Sequence, residues 1–191
     1  RLVDPLRVDI GVAAGDQEEP IVVADGAGGA IVVWTDNRGG DADIYAQRID
    51  ETGAALWTTD GVAVCDLPVS VYGPSAASDG DGGVIVAWSD QRRGYEIDLW
   101  AQRISPGGAL LWGPDGAAVC VDTMAQYDGV VAPDGAGGAW IAWRDARRRA
   151  SIRDAPHDLY AVRVFSDGSA GVECLVGDEA VENYNPAIAA D

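Results

Sequence analysis

The residues best suited to chemistry are concentrated in one stretch, "RDARRRASIRDAPHD" from Arg144 to Asp158, which carries Arg147, Arg148, Arg149 and Arg153 with the only histidine, His157. A smaller version, "SDQRRGYEID", brings Arg92, Arg93 and Tyr95. Planar guanidinium groups grip carboxylate or sulfate through paired N–H bonds, so these eight residues are the candidate ligand-binding set, for an acidic group. The chain has 31 acidic against 13 basic residues and a formal net charge of -18, so the two stretches reverse the local sign. The competing expectation is that the arginines neutralise neighbours such as Asp145, Asp154 and Asp158. His157 has no matching Ser and Asp in the pattern of a nucleophile triad, and no acid/base pair stands out, so no catalytic residue is assigned.

Metal chemistry has a second set of candidates. Asp41 and Asp43, and Asp79 and Asp81, are hard oxygen ligands spaced two apart, as calcium would want, without the remaining spacing of an EF-hand or a glycine-rich calcium repeat. Solvated turns are the ordinary alternative. No cofactor is required, and calcium is the one the sequence allows. The three cysteines end "VAVC" at Cys65, "AAVC" at Cys120 and "GVEC" at Cys174. They stand too far apart for a zinc site and read as the same place in three repeats, pointing the same way. The expectation is three small half-buried hydrophobes and no disulfide.

What must position these residues is a repeat of 54 to 55 residues, marked by Asp25, Asp79 and Asp134, by Trp34, Trp88 and Trp143, and by Gln47-Arg48, Gln102-Arg103 and Val162-Arg163. Self-similarity at that length means an array or a ring. Each unit holds four runs with strand character. "PIVVAD" is continuously apolar, "DGAGG" marks a hairpin, "AIVVWTD" returns from it, "DIYAQRID" alternates, and a short "GVAVC" closes the unit. No segment has helical periodicity.

The expected fold class is therefore all-β, built of β-propeller-type repeats with four-stranded antiparallel blades, the first strand covered on both faces and the last nearest solvent. Three complete blades span 20–73, 74–128 and 129–185. Residues 1–19 read as the last strand of a preceding blade and 186–191 as the first strand of a following one, so the chain reads as a piece of something longer. Unpaired apolar edges at both ends would favour self-association. The recurring Trp, with Asp two residues later and Arg two later again, reads as architecture: Trp packed between blades, Asp held by turn amides and an arginine.

"DGxGG" followed by "VxWxDxR" and "DIYAQR", with "NPAIAAD" near the C-terminus, resembles the repeats of bacterial secreted β-propellers of the sialidase-like, BNR-repeat type, over nearly the whole chain. That family carries an Asp box, S/T-x-D-x-G-x-x-W, between the third and fourth strands of a blade. Here "DETGAALW" ending at Trp57 and "SPGGALLW" ending at Trp112 occupy that loop in degenerate form, and the third repeat has no Trp there. The resemblance implies an extracellular or cell-surface location and the propeller fold more than it implies the enzyme. A sialidase-like hydrolase would need three arginines, a Tyr/Glu pair and an acid/base Asp drawn from several blades. Tyr72, Tyr127 and Tyr184 instead recur at equivalent positions, as structural residues do.

A strongly acidic chain repels phosphate backbones and anionic headgroups, and no apolar run approaches the ~18 residues that span a bilayer, so nucleic-acid binding and membrane insertion are not expected. The expected function is a non-catalytic binding or structural module recognising a glycan or a protein. The alternatives are a fragment of a sialidase-like glycoside hydrolase and a self-associating surface or filament component.

Overall fold

The computed structural model describes residues 15–148, 157–177 and 186–189. It is all-β, with three sheets of four antiparallel strands in simple meander order. Blade 1 holds β1 (Gln17–Ala24), β2 (Ala30–Asp36), β3 (Asp43–Ile49) and β4 (Val62–Cys65). Blade 2 holds β5 (Val71–Ser78), β6 (Val84–Asp90), β7 (Asp98–Ile104) and β8 (Ala117–Cys120). Blade 3 holds β9 (Gln126–Pro133), β10 (Ala139–Asp145), β11 (Asp158–Val164) and β12 (Cys174–Gly177). First strands lie against first strands, β1 on β5 and β5 on β9, so the sheets stack as blades, but they do not close into a ring.

Each first strand begins ahead of Pro20, Pro74 or Gly129 and passes through a bulge, where the register with the second strand slips. Glu19, Gly73 and Asp128 occupy equivalent places in the three bulges and share φ values of 51°, 55° and 53°. The left-handed turn is thus part of the repeat. The extra residue lets a proline, which has no N–H to give to the ladder, sit inside a strand.

Burial does not fall steadily from first strand to last. The second strand is the most enclosed, with every residue of β6 buried, because it is flanked on both sides within its own sheet and faces neighbouring sheets. β1 is largely exposed, with Val22 68% accessible, although its sequence is as apolar as that of a covered strand. No blade lies before it among the described residues. Two clusters form the core, one centred on Trp88 between blades 1 and 2, the other on Trp143 between blades 2 and 3.

The hairpin joining the first and second strands is held by one carboxylate per blade. Asp25 Oδ1 accepts from the backbone N–H groups of Ala27 and Gly29, both at 2.8 Å, and Oδ2 accepts from Arg48 Nε at 3.0 Å. Asp79 with Arg103 and Asp134 with Arg163 repeat this at 2.9 and 2.8 Å. The second glycine of each "GG" leaves room for it: a Cβ on Gly29, Gly83 or Gly138 would collide with the carbonyl of Ile49, Ile104 or Val164 and crowd the same carboxylate. Glycine is needed there for close approach, not for an unusual φ.

The cysteines fall in two classes. Cys65 and Cys120 close their fourth strands, pair with Ile44 and Leu99, and are buried. Cys174 does not take the equivalent place: it opens β12 opposite Ala161, and Gly177 stands opposite Leu159. The cause is the loop before it, 165–173 against 50–61 and 105–116, which brings the cysteine in three positions early. All three thiols are free, and Cys174 is exposed. Burial pushes the Cys65 thiol up to about 12, which suppresses its thiolate. A disulfide reagent added to native protein is therefore expected to modify one thiol quickly and three after unfolding. Rapid modification of Cys65 or Cys120 in native protein would contradict the buried placement.

Candidate binding face

At the end of each blade opposite the Asp25-type hairpin, the last residue of the second strand faces the first residue of the third: Asp36 opposite Asp43, Asp90 opposite Asp98, Asp145 opposite Asp158. All six carboxylates are buried. The first of each pair is saturated with donors. Asp90 accepts from the Trp88 indole at 2.9 Å, from the Arg92 backbone N–H at 3.1 Å, and from Arg92 Nε and Nη2 at 2.9 and 2.5 Å. Asp36 takes the same donors from Trp34 and Arg38, and Asp145 takes the indole, a backbone N–H and Nη2 from Trp143 and Arg147. Burial works against the charge of Asp36, but the Arg38 and Trp34 hydrogen bonds outweigh it and hold the carboxyl below its ordinary range.

This clamp decides where the predicted arginines go. Arg92 also reaches the Asp115 carbonyl at 2.6 Å and stacks 3.8 Å over Trp100. Arg147 pairs with Glu173 at 2.5 Å, contacts Cys120 Sγ at 2.9 Å and lies over Tyr160. Burial opposes the charge of Arg147, and hydrogen bonds to Asp145 and Glu173 more than offset that, raising it above the usual arginine range. Since Arg38 makes the same clamp in blade 1, where no basic stretch exists, Arg92 and Arg147 are placed as structural members of the repeat.

Arg93 and Arg148 are placed differently. Their side chains are 52% and 51% exposed, and each lies 3.7 Å from the second carboxylate of its blade, Asp98 or Asp158. Tyr95, beside Arg93 in the same loop, is 96% exposed. His157 packs edge-on against Tyr127 and lies 3.3 Å from Arg144, which is itself paired with Asp128 at 2.6 Å. Arg149 and Arg153 lie outside the described residues.

These loops adjoin the connections between blades. Backbone bonds Val71 N to Ala42 O and Gln126 N to Ile97 O tie the blade 1 and blade 2 loops to the strand entering the next blade, and Ala146 N to Ala125 O ties the blade 3 loop to the segment entering blade 3 itself. In blade 2 the junction opens into a pocket of about 420 Å³ lined by Arg93, Glu96, Asp98, Val121, Asp122 and Thr123. Asp98 is fully buried, and neither of its carboxylate oxygens accepts a hydrogen bond among the described residues. Burial raises its pKa, Arg93 opposes that, and Asp90 and Glu96 add to it. The pocket is therefore mixed in sign, with three carboxylates and one guanidinium. Among the described residues no three His, Cys, Asp or Glu side chains come together to hold a metal ion.

Two glutamines that the sequence offered only as markers of the repeat hold the blade joints. Gln47 donates to the Thr58 carbonyl at 2.8 Å and accepts from Trp57 N at 2.9 Å; Gln102 makes the same pair of bonds to Gly113 O and Trp112 N. They hold the loops between the third and fourth strands, 50–61 and 105–116, so that each indole reaches the next blade, Trp57 to Pro106 O at 2.9 Å and Trp112 to Ser166 O at 3.0 Å. Gly108 and Gly168 lie under the rings, where a Cβ would approach within 3.1 and 2.8 Å. The signal was present: blade 3 lacks both partners at once, with Val162 for the glutamine and Val172 for the tryptophan. No protein-family model and no curated protein matches this chain.

Proposed function

We propose that this chain is a segment of an extracellular or cell-surface β-propeller-type protein, of the BNR-like kind its motifs resemble, that serves as a non-catalytic binding module for a glycan or protein bearing acidic groups. The observation that carries this is the division of labour among the arginines. Those that repeat in every blade are consumed by buried carboxylates, while Arg93 and Arg148 sit half-exposed on equivalent loops, one beside the fully displayed Tyr95. An exposed guanidinium with an aromatic neighbour suits a carboxylated or sulfated sugar or an acidic peptide.

The test is binding of the whole chain to immobilised acidic and neutral glycans and to acidic peptides, with an assay for turnover of the same glycans. Retention on acidic ligands, reduced at least about tenfold by Arg93→Ala with Arg148→Ala, is the expected result. Retention indifferent to both substitutions would remove these loops from the binding face. Turnover of a sialoside would replace this proposal with the glycoside hydrolase alternative.

A further inference from the structure

Blade 1 departs from its sisters in the loop between its second and third strands. Arg93 and Arg148 each stand three residues after the clamp carboxylate and present a guanidinium to the second buried aspartate, Asp98 or Asp158. In blade 1 the same position is Gly39. Its partner Asp43 is 3% exposed, and Asp43 Oδ1 accepts no hydrogen bond among the described residues. The carboxylate still faces the vacated position, since a Cβ on Gly39 would lie 3.3 Å from Asp43 Oδ2.

The charges around Asp43 make this an unusual absence. Asp66, Asp41 and Asp36 all act on it with like sign. The cation acting on it among the described residues, Arg38, is committed to Asp36 by bonds of 2.5 and 2.8 Å and to the Asp60 carbonyl. Burial first, and then these neighbours, push the Asp43 carboxyl up to about 6. Asp41 and Asp66 are exposed and close enough to act on Asp43. A buried carboxylate with no counter-ion is costly, and two of three blades offset part of that cost with a half-exposed guanidinium 3.7 Å away.

We propose that blade 1 binds a guanidinium group supplied from outside the chain, which docks on Asp43 between Asp41 and Asp66 at the place where blades 2 and 3 hold Arg93 and Arg148. A guanidinium is preferred to a metal ion because it needs one carboxylate edge and not a converging shell of oxygens, and no such shell is formed among the described residues. The ligand lies on the face that carries the blade 2 and blade 3 loops, so a partner protein's arginine and a small guanidine are both sterically admissible sources. The inference stands apart from whatever acidic ligand those loops bind, because it concerns blade 1 alone.

The experiment is an NMR titration of the whole chain at pH 7, following the amides of Gly39 to Asp43, with three probes used separately: agmatine, the peptide acetyl-Gly-Arg-Gly-amide, and calcium chloride. Saturable shifts are expected with agmatine or the peptide, tighter binding by the peptide marking a protein-borne source. Asp43→Asn should weaken the effect at least about tenfold. Gly39→Arg should abolish it by supplying the cation internally; Gly39 has no left-handed φ to protect and the loop is open, so this variant should fold. Arg93→Gly is the converse and should create the same response at Asp98. Shifts with calcium alone, no saturable shift with either guanidine, or an unaltered response in Gly39→Arg would each overturn the proposal.

Discussion

Replacing Asp90 by alanine is expected to cost about 3–5 kcal/mol of folding stability, the largest loss from any single polar change in the central blade. Asp90 is fully buried and receives an indole N–H, a backbone N–H and two guanidinium N–H groups, all within 3.1 Å. Alanine would strand the Trp88 indole in the core and leave Arg92, a largely buried cation, without a carboxylate, with only the Asp115 carbonyl, the Cys65 sulfur and the Trp100 face to turn to. Asp90→Asn keeps one acceptor for the indole and should lose less, while Arg93→Ala, whose ion pair is 3.7 Å long and half-exposed, should lose under about 1 kcal/mol. Urea unfolding of the three variants checks the order. Equal stability of Asp90→Ala and Arg93→Ala would mean that the clamp does not hold the blade.

The contrast between those two arginines shows what could be read from the letters and what could not. The four-stranded repeat was legible because Trp88, Asp90 and Arg92 recur at fixed spacing with Trp34, Asp36 and Arg38, and alternation of strand and turn residues sets where each sheet must bend. That Arg92 is inside and Arg93 outside was not legible, since adjacent residues on a loop differ only in which carboxylate the backbone turns them toward. The "SDQRRGYEID" stretch likewise reads as locally basic, but in its pocket Glu96, Asp98 and Asp122 join Arg93 from two separate segments. Cys174 misled for a related reason. Its letter matches Cys65 and Cys120, yet strand pairing, which obeys loop length, puts Gly177 at their place. β1 showed the opposite limit: its "PIVVA" run is as apolar as that of a covered strand, yet it is largely exposed, with no blade before it among the described residues.

Trp112→Ala is expected to cost a further about 3–5 kcal/mol class of effect, and to show it as a broken joint. Trp112 is almost fully buried, belongs to the core shared by blades 2 and 3, rests on Gly168 and donates to the Ser166 carbonyl at 3.0 Å. In a linear array, stability is the sum of what each repeat contributes and what each interface adds, so removing an interface term loosens coupling before it unfolds a blade. Amide exchange should therefore rise first in β9 to β12, with β5 to β8 less affected, and the urea transition should broaden. Trp57→Ala should act in the same sense on the joint between blades 1 and 2, but less strongly, since Trp57 is only half-buried. A sharp transition with uniform acceleration of exchange across all three blades would show that the blades are one cooperative core and that the indole bridges are incidental. If the graded, blade-by-blade result is found, the loss of both Gln and Trp from blade 3 gains a physical meaning: a following blade would have to be joined to this one by other contacts.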